Sequence, residues 1–354
     1  MIERAMARQP GERFASMQAL AVGLRQALRL EEAAEDRSEL DSAPRDMPRR
    51  ALPPTADQGD ERHVPLLVLA GKGDDDRSTM ETQAWSAMKA RGAGAADGNV
   101  DRRSLVIHRP AELPTAGNDW AEVTYQFDSQ LTSLNAALGG QAVFHVFLNC
   151  PAALAVGLGA ITGPRHSPVL YHYFAGSYVP VMDFNALMRE HGLGGQVIKQ
   201  TAAQPFRWIE AQPPGDGPRR LLFVSLHLSS QQNDPGNMVR QLAAAQGAAA
   251  AFVRNTYGGV LKPDDDWLRA AREVATALSP WLNEGRVEMT HLFLNCPVPL
   301  AFAIGMALGV QPRITIHHWF RSSGRYHPVL VLNKLRRAGQ ASSRWKSPWK
   351  SRRS

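Results

Sequence analysis

Apolar residues follow two alternating patterns along this chain from about residue 63 onwards. Short, continuous apolar runs predict buried strands, because a strand covered on both faces of a parallel sheet needs no alternating polar positions. Longer segments with apolar residues three and four positions apart predict helices with one buried face. Strands are predicted at residues 64–70, 104–108, 143–148, 169–174, 221–228, 291–294 and 314–320, and helices at residues 120–138, 152–161, 237–250, 267–282 and 300–308. Strands that alternate with helices are typical of parallel βαβ units, so we predict an α/β fold.

Part of this pattern occurs twice. Residues 145–159 recur 146 positions later as residues 291–305, and nine of the fifteen positions are identical. The correspondence continues without a gap to His172 and His318. Each copy is predicted to pass from a buried strand through Asn-Cys-Pro into a helix of small residues. We therefore predict two tandem Rossmann-like halves related by pseudo-two-fold duplication, with a cleft where equivalent loops meet.

The chain divides into five predicted segments. Residues 1–30 are predicted to form a short helical piece. Residues 31–62 combine acids with prolines and predict a disordered linker. The two halves are predicted at residues 63–210 and 211–335, and residues 336–354 are predicted to form a basic, disordered tail.

Composition and charge restrict the expected partners. A chain of 354 residues that is 44% hydrophobic is long enough for one large core or for two domains of ordinary size. The formal net charge of +7 is concentrated from Lys334 onwards, where eight Lys or Arg occur without an acid. Nucleic acid is therefore expected to bind only weakly, through the tail. Two cysteines do not make a disulfide framework, which favours a reducing cytosol.

Two apolar stretches are candidates for membrane spans. Residues 297–310 are shorter than the roughly 20 residues that a helix needs to cross a bilayer. Residues 143–161 are longer, but they contain His145, Asn149 and Pro151. The N-terminus carries early charges and no apolar core, unlike a signal peptide. We expect a cytoplasmic protein without a membrane segment.

The two Asn-Cys-Pro sequences are the main candidates for a binding site. They are Asn149, Cys150 and Pro151 in the first copy, and Asn295, Cys296 and Pro297 in the second. Pro fits the start of a helix, where its missing N–H is not needed. The free N–H groups of the first helical turn would face the carboxyl edge of the sheet, where ligands bind in open α/β folds and phosphate is favoured. A βα turn with a capping Asn remains the purely structural alternative.

Loops and strand ends at the same edge supply further candidates. They are Gly71, Lys72, Tyr173, His227, Ser229, Trp319 and Arg321. A lysine between two glycines can meet a phosphate, although this loop matches neither a P-loop nor a dinucleotide fingerprint. Aromatic side chains at strand ends can stack on bases. Phe174 and Phe320 are instead expected to pack in the core.

A metal site is the sharper alternative at the repeat, since His and Cys occur together in both copies. His145 and Cys150 lie five positions apart on an extended segment and would point to opposite faces. The sequence contains no Cys beyond the repeated pair. We therefore expect buried, unreactive thiols, no metal or cofactor, and no assigned catalytic residue.

Residues 4–16 resemble the end of the last lobe of bacterial Ser/Thr protein kinases. That family ends on Ala-(Leu/Met)-x-x-x-Pro-x-x-Arg-(Phe/Trp) before a final helix, and Arg13 occupies the place of its structural arginine. No Gly-rich nucleotide loop, His-Arg-Asp loop or Asp-Phe-Gly segment precedes it in the sequence. The resemblance implies the remnant of a fused kinase without its catalytic core, or a truncated gene start. An unrelated helical cap is the alternative.

Residues 63–335 resemble the SAVED domain. The resemblance rests on the repeated unit of strand, Asn-x-Pro and small-residue helix, followed by a strand and a Tyr-x-Pro-Val turn at residues 178–181 and 326–329. The glycine that usually precedes the proline is Cys150 in one copy and Cys296 in the other. SAVED domains are fused CARF-like halves that sense cyclic oligonucleotides in bacterial antiphage signalling, as in CBASS.

The SAVED resemblance implies a sensor for a cyclic nucleotide second messenger. The ligand would bind between the two halves, with phosphates at the helix N-termini and Lys72 and bases on Tyr173 or Trp319. Binding would promote a homo-oligomer and activate a fused or separate effector. Two alternatives stay open, a protein-interaction module without a ligand and a ring nuclease that uses His227 or His318 as a base. An oxidoreductase is not favoured, because a dinucleotide fingerprint is missing from the sequence.

Overall fold

The computed structural model describes residues 62–91, 105–115, 118–215, 220–229, 234–283 and 287–335. Within these ranges the strands are β1 Arg62–Ala70, β2 Val106–Arg109, β3 Ala142–Asn149, β4 Val169–Phe174, β5 Ser177–Asp183, β6 Ile209–Gln212, β7 Leu221–His227, β8 Ala249–Asn255, β9 Met289–Asn295, β10 Ile314–Phe320 and β11 Arg325–Val331. The α-helices are α1 Asp74–Lys89, α2 Asp119–Ala137, α3 Ala152–Thr162, α4 Phe184–His191, α5 Gly236–Ala245, α6 Trp267–Asn283 and α7 Val298–Leu308. Two 3₁₀ helices occupy Gly163–Arg165 and Gly194–Lys199.

The strands form two sheets of matching topology. The first has the order β2-β1-β3-β4-β5, and the second has the order β11-β10-β9-β7-β8-β6. In both sheets the central strands run parallel, and a final hairpin strand, β5 or β11, pairs antiparallel at the edge. The short β6 adds a further antiparallel strand to the second sheet, beside β8. The predicted α/β fold with two Rossmann-like halves is confirmed.

Burial explains why the central strands read as continuous apolar runs. Every residue of β1 after Arg62 is buried, because helices cover both faces of the sheet. The inner faces of both sheets share one large hydrophobic cluster with α2, α3, α6 and α7. Two smaller clusters lie on the outer faces, one beneath α1 and one beneath α5.

Helices α3 and α7 join the halves, and we call their contact the seam. Both helices are apolar nearly all round and buried along almost their whole length, which is typical of a helix in the centre of a fold. The axes approach closely at two equivalent glycines. A Cβ on Gly159 would overlap with the carbonyl oxygen of Phe302, and a Cβ on Gly305 would overlap with the carbonyl oxygen of Val156. Only glycine permits this approach.

Three predictions differ from the structure, and the first concerns a helix in the second half. The helix expected at residues 237–250 ends at Ala245, and Ala249 already begins β8. Gly247, with φ of +59°, turns the chain between them. A run of alanines hides this boundary, because alanine carries a strong helical preference that strand pairing with β7 overrides here.

The two Tyr-x-Pro-Val segments, predicted as turns, lie instead in the edge strands β5 and β11. Pro180 pairs opposite Tyr171, and Pro328 pairs opposite His317, each beside a register shift. An edge strand accepts proline, because its missing N–H can face away from the neighbouring strand.

Helix α1 is another difference, since the sequence predicted only a loop after β1. Three consecutive acids at residues 74–76 occupy its first turn, where the helix dipole favours negative charge.

Candidate functional site at the seam between the halves

The two Asn-Cys-Pro segments have the same backbone geometry. Asn149 is the last residue of β3, and Asn295 is the last residue of β9. Pro151 and Pro297 are the N-caps of α3 and α7, and both have φ of −57° and ψ of 141°. The duplication has therefore placed two helix N-termini at the carboxyl edges of two parallel sheets.

Hydrogen bonding at the helix starts follows from this geometry. In α3 the amides of Leu154 and Ala155 donate to the carbonyl of Pro151 at 3.0 and 3.1 Å. In α7 the amide of Ala301 donates to the carbonyl of Pro297 at 3.0 Å. The preceding N–H groups, of Ala152 and Ala153 in α3 and of Val298 and Leu300 in α7, have no acceptor within their own helix. Pro299 of α7 has no N–H to offer. Both starts are therefore suitable for a negatively charged group.

The side chains of the two asparagines differ in their partners. The Oδ1 of Asn295 accepts a hydrogen bond from Ser229 Oγ at 2.6 Å, and its Nδ2 lies 3.3 Å from His227 Nδ1. The Nδ2 of Asn149 lies 3.2 Å from the thioether sulfur of Met80 on α1. Thioether sulfur is a weak acceptor, so the orientation of the Asn149 amide is held less firmly than that of Asn295.

A cleft of about 440 Å³ opens at the seam, and we call it the seam cleft. The first half contributes Glu112, Ala152 and His172 to its lining. The second half contributes Ser229, Val260, Leu294, Asn295, Cys296, Pro297, Val298, His318, Trp319, Arg321 and Tyr326. Ala152 and Val298 are the first residues of α3 and α7, so both helix N-termini reach the cleft. Its volume lies within the range of pockets that bind small ligands.

Aromatic contacts cross the seam reciprocally beside the cleft. Trp120 of α2 lies against His318 of β10, with ring centroids 5.3 Å apart. Trp267 of α6 lies against His172 of β4, with ring centroids 5.0 Å apart. Each half therefore supports a cleft-lining histidine of the other half with a tryptophan.

Burial shifts the pKa of several residues in and beside the cleft. The expected burial of Cys150 and Cys296 is confirmed, and burial raises the pKa of both thiols to about 12. Burial lowers the pKa of His318 to about 4, and it also lowers the pKa of His172. Among the described residues that line the cleft, Glu112 is the only carboxylic acid and Arg321 is the only Lys or Arg. Both are exposed.

Six of the predicted site residues line the seam cleft. They are Ser229, Asn295, Cys296, Pro297, Trp319 and Arg321. Trp319 packs edge-to-face on Tyr326, with ring centroids 5.2 Å apart. All six predicted residues that line the cleft thus come from the second half.

The other predicted residues lie at the carboxyl edges without lining the cleft. They are Gly71, Lys72, Asn149, Cys150, Pro151, Tyr173 and His227. The carbonyl of Lys72 is 2.6 Å from His108 Nε2. Tyr173 packs on Tyr178 in the cluster beneath α1, with ring centroids 5.1 Å apart.

Sequence reasoning missed Glu112, His172 and Tyr326 as cleft residues, and it considered His318 only as a base for cleavage. The repeat held a usable signal, since His172 and His318 are equivalent positions in it. The expected core position of Phe320 is confirmed, because its side chain is 2% exposed. The same expectation is wrong for Phe174, which is 41% exposed at the tip of the β4–β5 hairpin, where few side chains surround it.

Two further observations concern the described residues alone. No three His, Cys, Asp or Glu side chains come together there in a group that would hold a metal ion. None of the helices described is both long enough and apolar enough to pass through a lipid bilayer.

Comparison with known proteins gives one family match, which covers part of the chain. Residues 197–332 match the family model of the SAVED domain, described as the SMODS-associated and fused to various effectors sensor domain. This match confirms the resemblance over that range. The kinase-like segment at residues 1–30 lies outside both the match and the described residues. No curated protein matches the chain.

Solved structures of similar fold include Cap4 SAVED/CARF-domain containing receptors. The receptor from Acinetobacter baumannii with the cyclic trinucleotide 3'3'3'-cAAA is 12% identical, with a TM-score of 0.48 over 76% of this chain and 51% of that chain. The receptor from Moraxella osloensis is 13% identical, with a TM-score of 0.43 over 76% of this chain and 50% of that chain. This chain therefore spans about half the length of those receptors.

Proposed function

We propose that residues 62–335 form a sensor that binds a cyclic oligonucleotide in the seam cleft. The observation that carries the proposal is the position of the cleft, where two duplicated helix N-termini meet at the carboxyl edges of parallel sheets. The match of residues 197–332 to a family of sensor domains supports it. A ligand with repeating nucleotide units suits a site built from repeated halves.

The cleft offers a contact for each chemical part of a nucleotide. The helix starts at Ala152 and Val298, together with Arg321, are suited to phosphate groups. Trp319 presents an aromatic surface for a base. The amide of Asn295, oriented by Ser229, can donate and accept at the edge of that base.

The finer parts of the proposal concern signalling. We propose that the sensor acts in bacterial antiphage signalling in the cytoplasm, which is what the SAVED resemblance of the sequence implies. The match to a sensor family described as SMODS-associated and fused to various effectors supports a signalling role. Ligand binding would promote a homo-oligomer and activate a fused or separate effector. The ligand is the only small molecule that the proposal requires, and weak nucleic-acid contacts through the basic tail remain a minor expectation.

Titration calorimetry tests the proposal on the full chain. The probes are cyclic di-, tri- and tetra-AMP and their GMP-containing counterparts. We expect at least one probe to bind with a Kd in the micromolar range or below, and Asn295→Ala to weaken it. If no probe binds with a Kd below about 100 µM, which corresponds to about −5.5 kcal/mol, the sensor proposal is wrong and an interaction module takes its place.

Chromatography of the bound probe after long incubation separates sensing from cleavage. A sensor returns the cyclic probe intact. Linear products from the wild type, absent with His318→Ala, would instead establish a ring nuclease. This measurement uses the same sample as the calorimetry, so binding and cleavage are judged together.

A further inference from the structure

The histidines within the strands fall into two groups. In the first group the rings are held by hydrogen bonds inside the fold. His145 Nε2 lies 2.8 Å from His63 Nδ1, and His145 Nδ1 lies 2.8 Å from the hydroxyl of Tyr171. His291 Nδ1 lies 2.9 Å from His317 Nε2. These contacts satisfy ring nitrogens and explain why polar residues are tolerated in such buried strands.

His172 and His318 form the second group. Neither ring makes a hydrogen bond to any residue that the structure describes, although both side chains are half-buried. Both rings line the seam cleft, one from each half. A half-buried imidazole without a protein partner retains its full hydrogen-bonding capacity for whatever enters the cleft.

The opposite half fixes the position of each ring. Trp120, which contacts His318, is 2% exposed, and its indole N–H donates to the carbonyl of Pro114 at 2.8 Å. Trp267, which contacts His172, is fully buried, and its indole N–H donates to the carbonyl of Lys262 at 2.7 Å. Since both tryptophans are anchored, the two imidazoles are supported in the cleft before a ligand arrives.

We propose that His172 and His318 are direct ligand contacts, one from each half, which bind uncharged hydrogen-bonding groups of the cyclic oligonucleotide. A neutral imidazole has one donor and one acceptor, which matches a base edge or a ribose hydroxyl. The phosphates are left to Arg321 and the helix starts. This inference rests on the proposed function and adds the residues that read the nucleoside part of the ligand.

The test replaces each histidine with phenylalanine in the full chain. His172→Phe and His318→Phe keep an aromatic ring against the tryptophan, remove both ring nitrogens and enlarge the ring by one atom. His166→Phe is the matched control, because His166 is also half-buried, contacts one aromatic ring, Phe144, and does not line the cleft. Thermal unfolding shows whether each variant keeps its fold.

Each cleft variant should weaken binding of the probe that the wild type binds by about tenfold, the loss expected for one buried hydrogen bond. The double variant should lose about a hundredfold, and His166→Phe should bind as the wild type does. Repeating the titrations with the 2′-deoxy form of that probe shows whether the histidines bind a base edge or a ribose hydroxyl. If the phenylalanine variants still bind the 2′-deoxy probe more weakly than the wild type does, the histidines contact base edges. If variants and wild type bind it equally, the histidines contact ribose hydroxyls.

The two proposals fail in different ways. If the wild type binds a probe and both phenylalanine variants bind it equally well, the histidine contacts are wrong while the sensor stands. If one variant unfolds, alanine and asparagine at the same position are compared, and equal affinity of these two likewise rules out the histidine contact. If the wild type binds none of the probes, the sensor proposal itself is wrong, and this inference falls with it.

Discussion

The two halves share a backbone frame but differ in polar chemistry. Both helix starts have the same proline geometry, and the seam glycines occupy equivalent positions. The first-half asparagine lies against a methionine sulfur, whereas the second-half asparagine is held by a serine and a histidine. The two halves therefore share the glycines and the proline geometry that the seam needs, while the polar groups of the cleft come mainly from the second half.

The largest expected effect comes from breaking the shared frame. Gly159→Ala and Gly305→Ala each place a methyl group onto a backbone carbonyl of the opposite helix, so α3 and α7 must separate. We expect each to lower the free energy of unfolding by about 3 kcal/mol, at the upper end of typical overpacking. Urea denaturation measures this loss. Gly215→Ala, with no atom near the added methyl, should stay within about 0.5 kcal/mol of the wild type.

Acid should weaken both halves through their buried histidines. Burial, with the neighbouring His291 and His327, lowers the pKa of His317 to about 3, and burial with His63 and Arg91 lowers that of His145. The unfolded chain therefore binds more protons than the folded chain below about pH 6.5, and stability falls from there towards pH 3.

At pH 5 His317 should cost about 2 kcal/mol of stability relative to pH 7, and His145 should lower the stability in the same direction. Urea denaturation at a series of pH values measures the slope. His317→Phe removes one such group and should flatten the decline between pH 6.5 and 4. An unchanged slope would show that His317 is charged, or accessible to protons, in the folded state.

The asymmetry of the two asparagines should appear in ligand affinity. Asn295→Ala removes an oriented amide from the cleft and should weaken binding of a cyclic oligonucleotide by about 1.5 kcal/mol, or about tenfold. Asn149→Ala should change the affinity by less than about 0.4 kcal/mol, since Asn149 does not line the cleft. Equal losses in calorimetry would mean that the ligand contacts both edges alike.

The smallest expected effect belongs to Ser229, which orients Asn295. Ser229→Ala leaves the amide in place but removes the donor that fixes its Oδ1, so affinity should fall by about 0.5 kcal/mol. In the Asn295→Ala background the same substitution should have no further effect. A double-mutant cycle by calorimetry tests this coupling, and additive losses would show that Ser229 contacts the ligand on its own.

The sequence correctly predicted several strands and helices whose residues are mostly buried. The strand Ile314–Phe320 and the start of α3 at Ala152 occur at their predicted positions, because apolar runs bounded by Pro and Gly leave few alternatives. Prediction failed at β5 and β8, where proline and alanine suggest a turn and a helix when pairing with a neighbouring strand is ignored. Such pairing is a tertiary effect that local propensity does not contain.

The site was harder to predict than the fold. The repeat located the correct edge, yet the sequence favoured Tyr173 over its neighbour His172. Adjacent residues of a strand point to opposite faces, and both faces of these sheets are covered by helices. His172 contacts Trp267 across the seam, whereas Tyr173 packs on Tyr178 beneath α1. In the second half both His318 and Trp319 line the cleft, so alternation along the strand does not decide the lining by itself.

The close contact of α3 and α7 at Gly159 and Gly305 also links the two copies of the repeat. Each glycine is required by the backbone of the opposite helix, so neither copy is free to change at this position independently of the other. A single ancestral half with one such helix would have left its apolar face uncovered. The same crossing between two identical chains would have covered it. In the present chain the glycine contact holds the two halves together, while the partners of Asn149 and Asn295 differ between them.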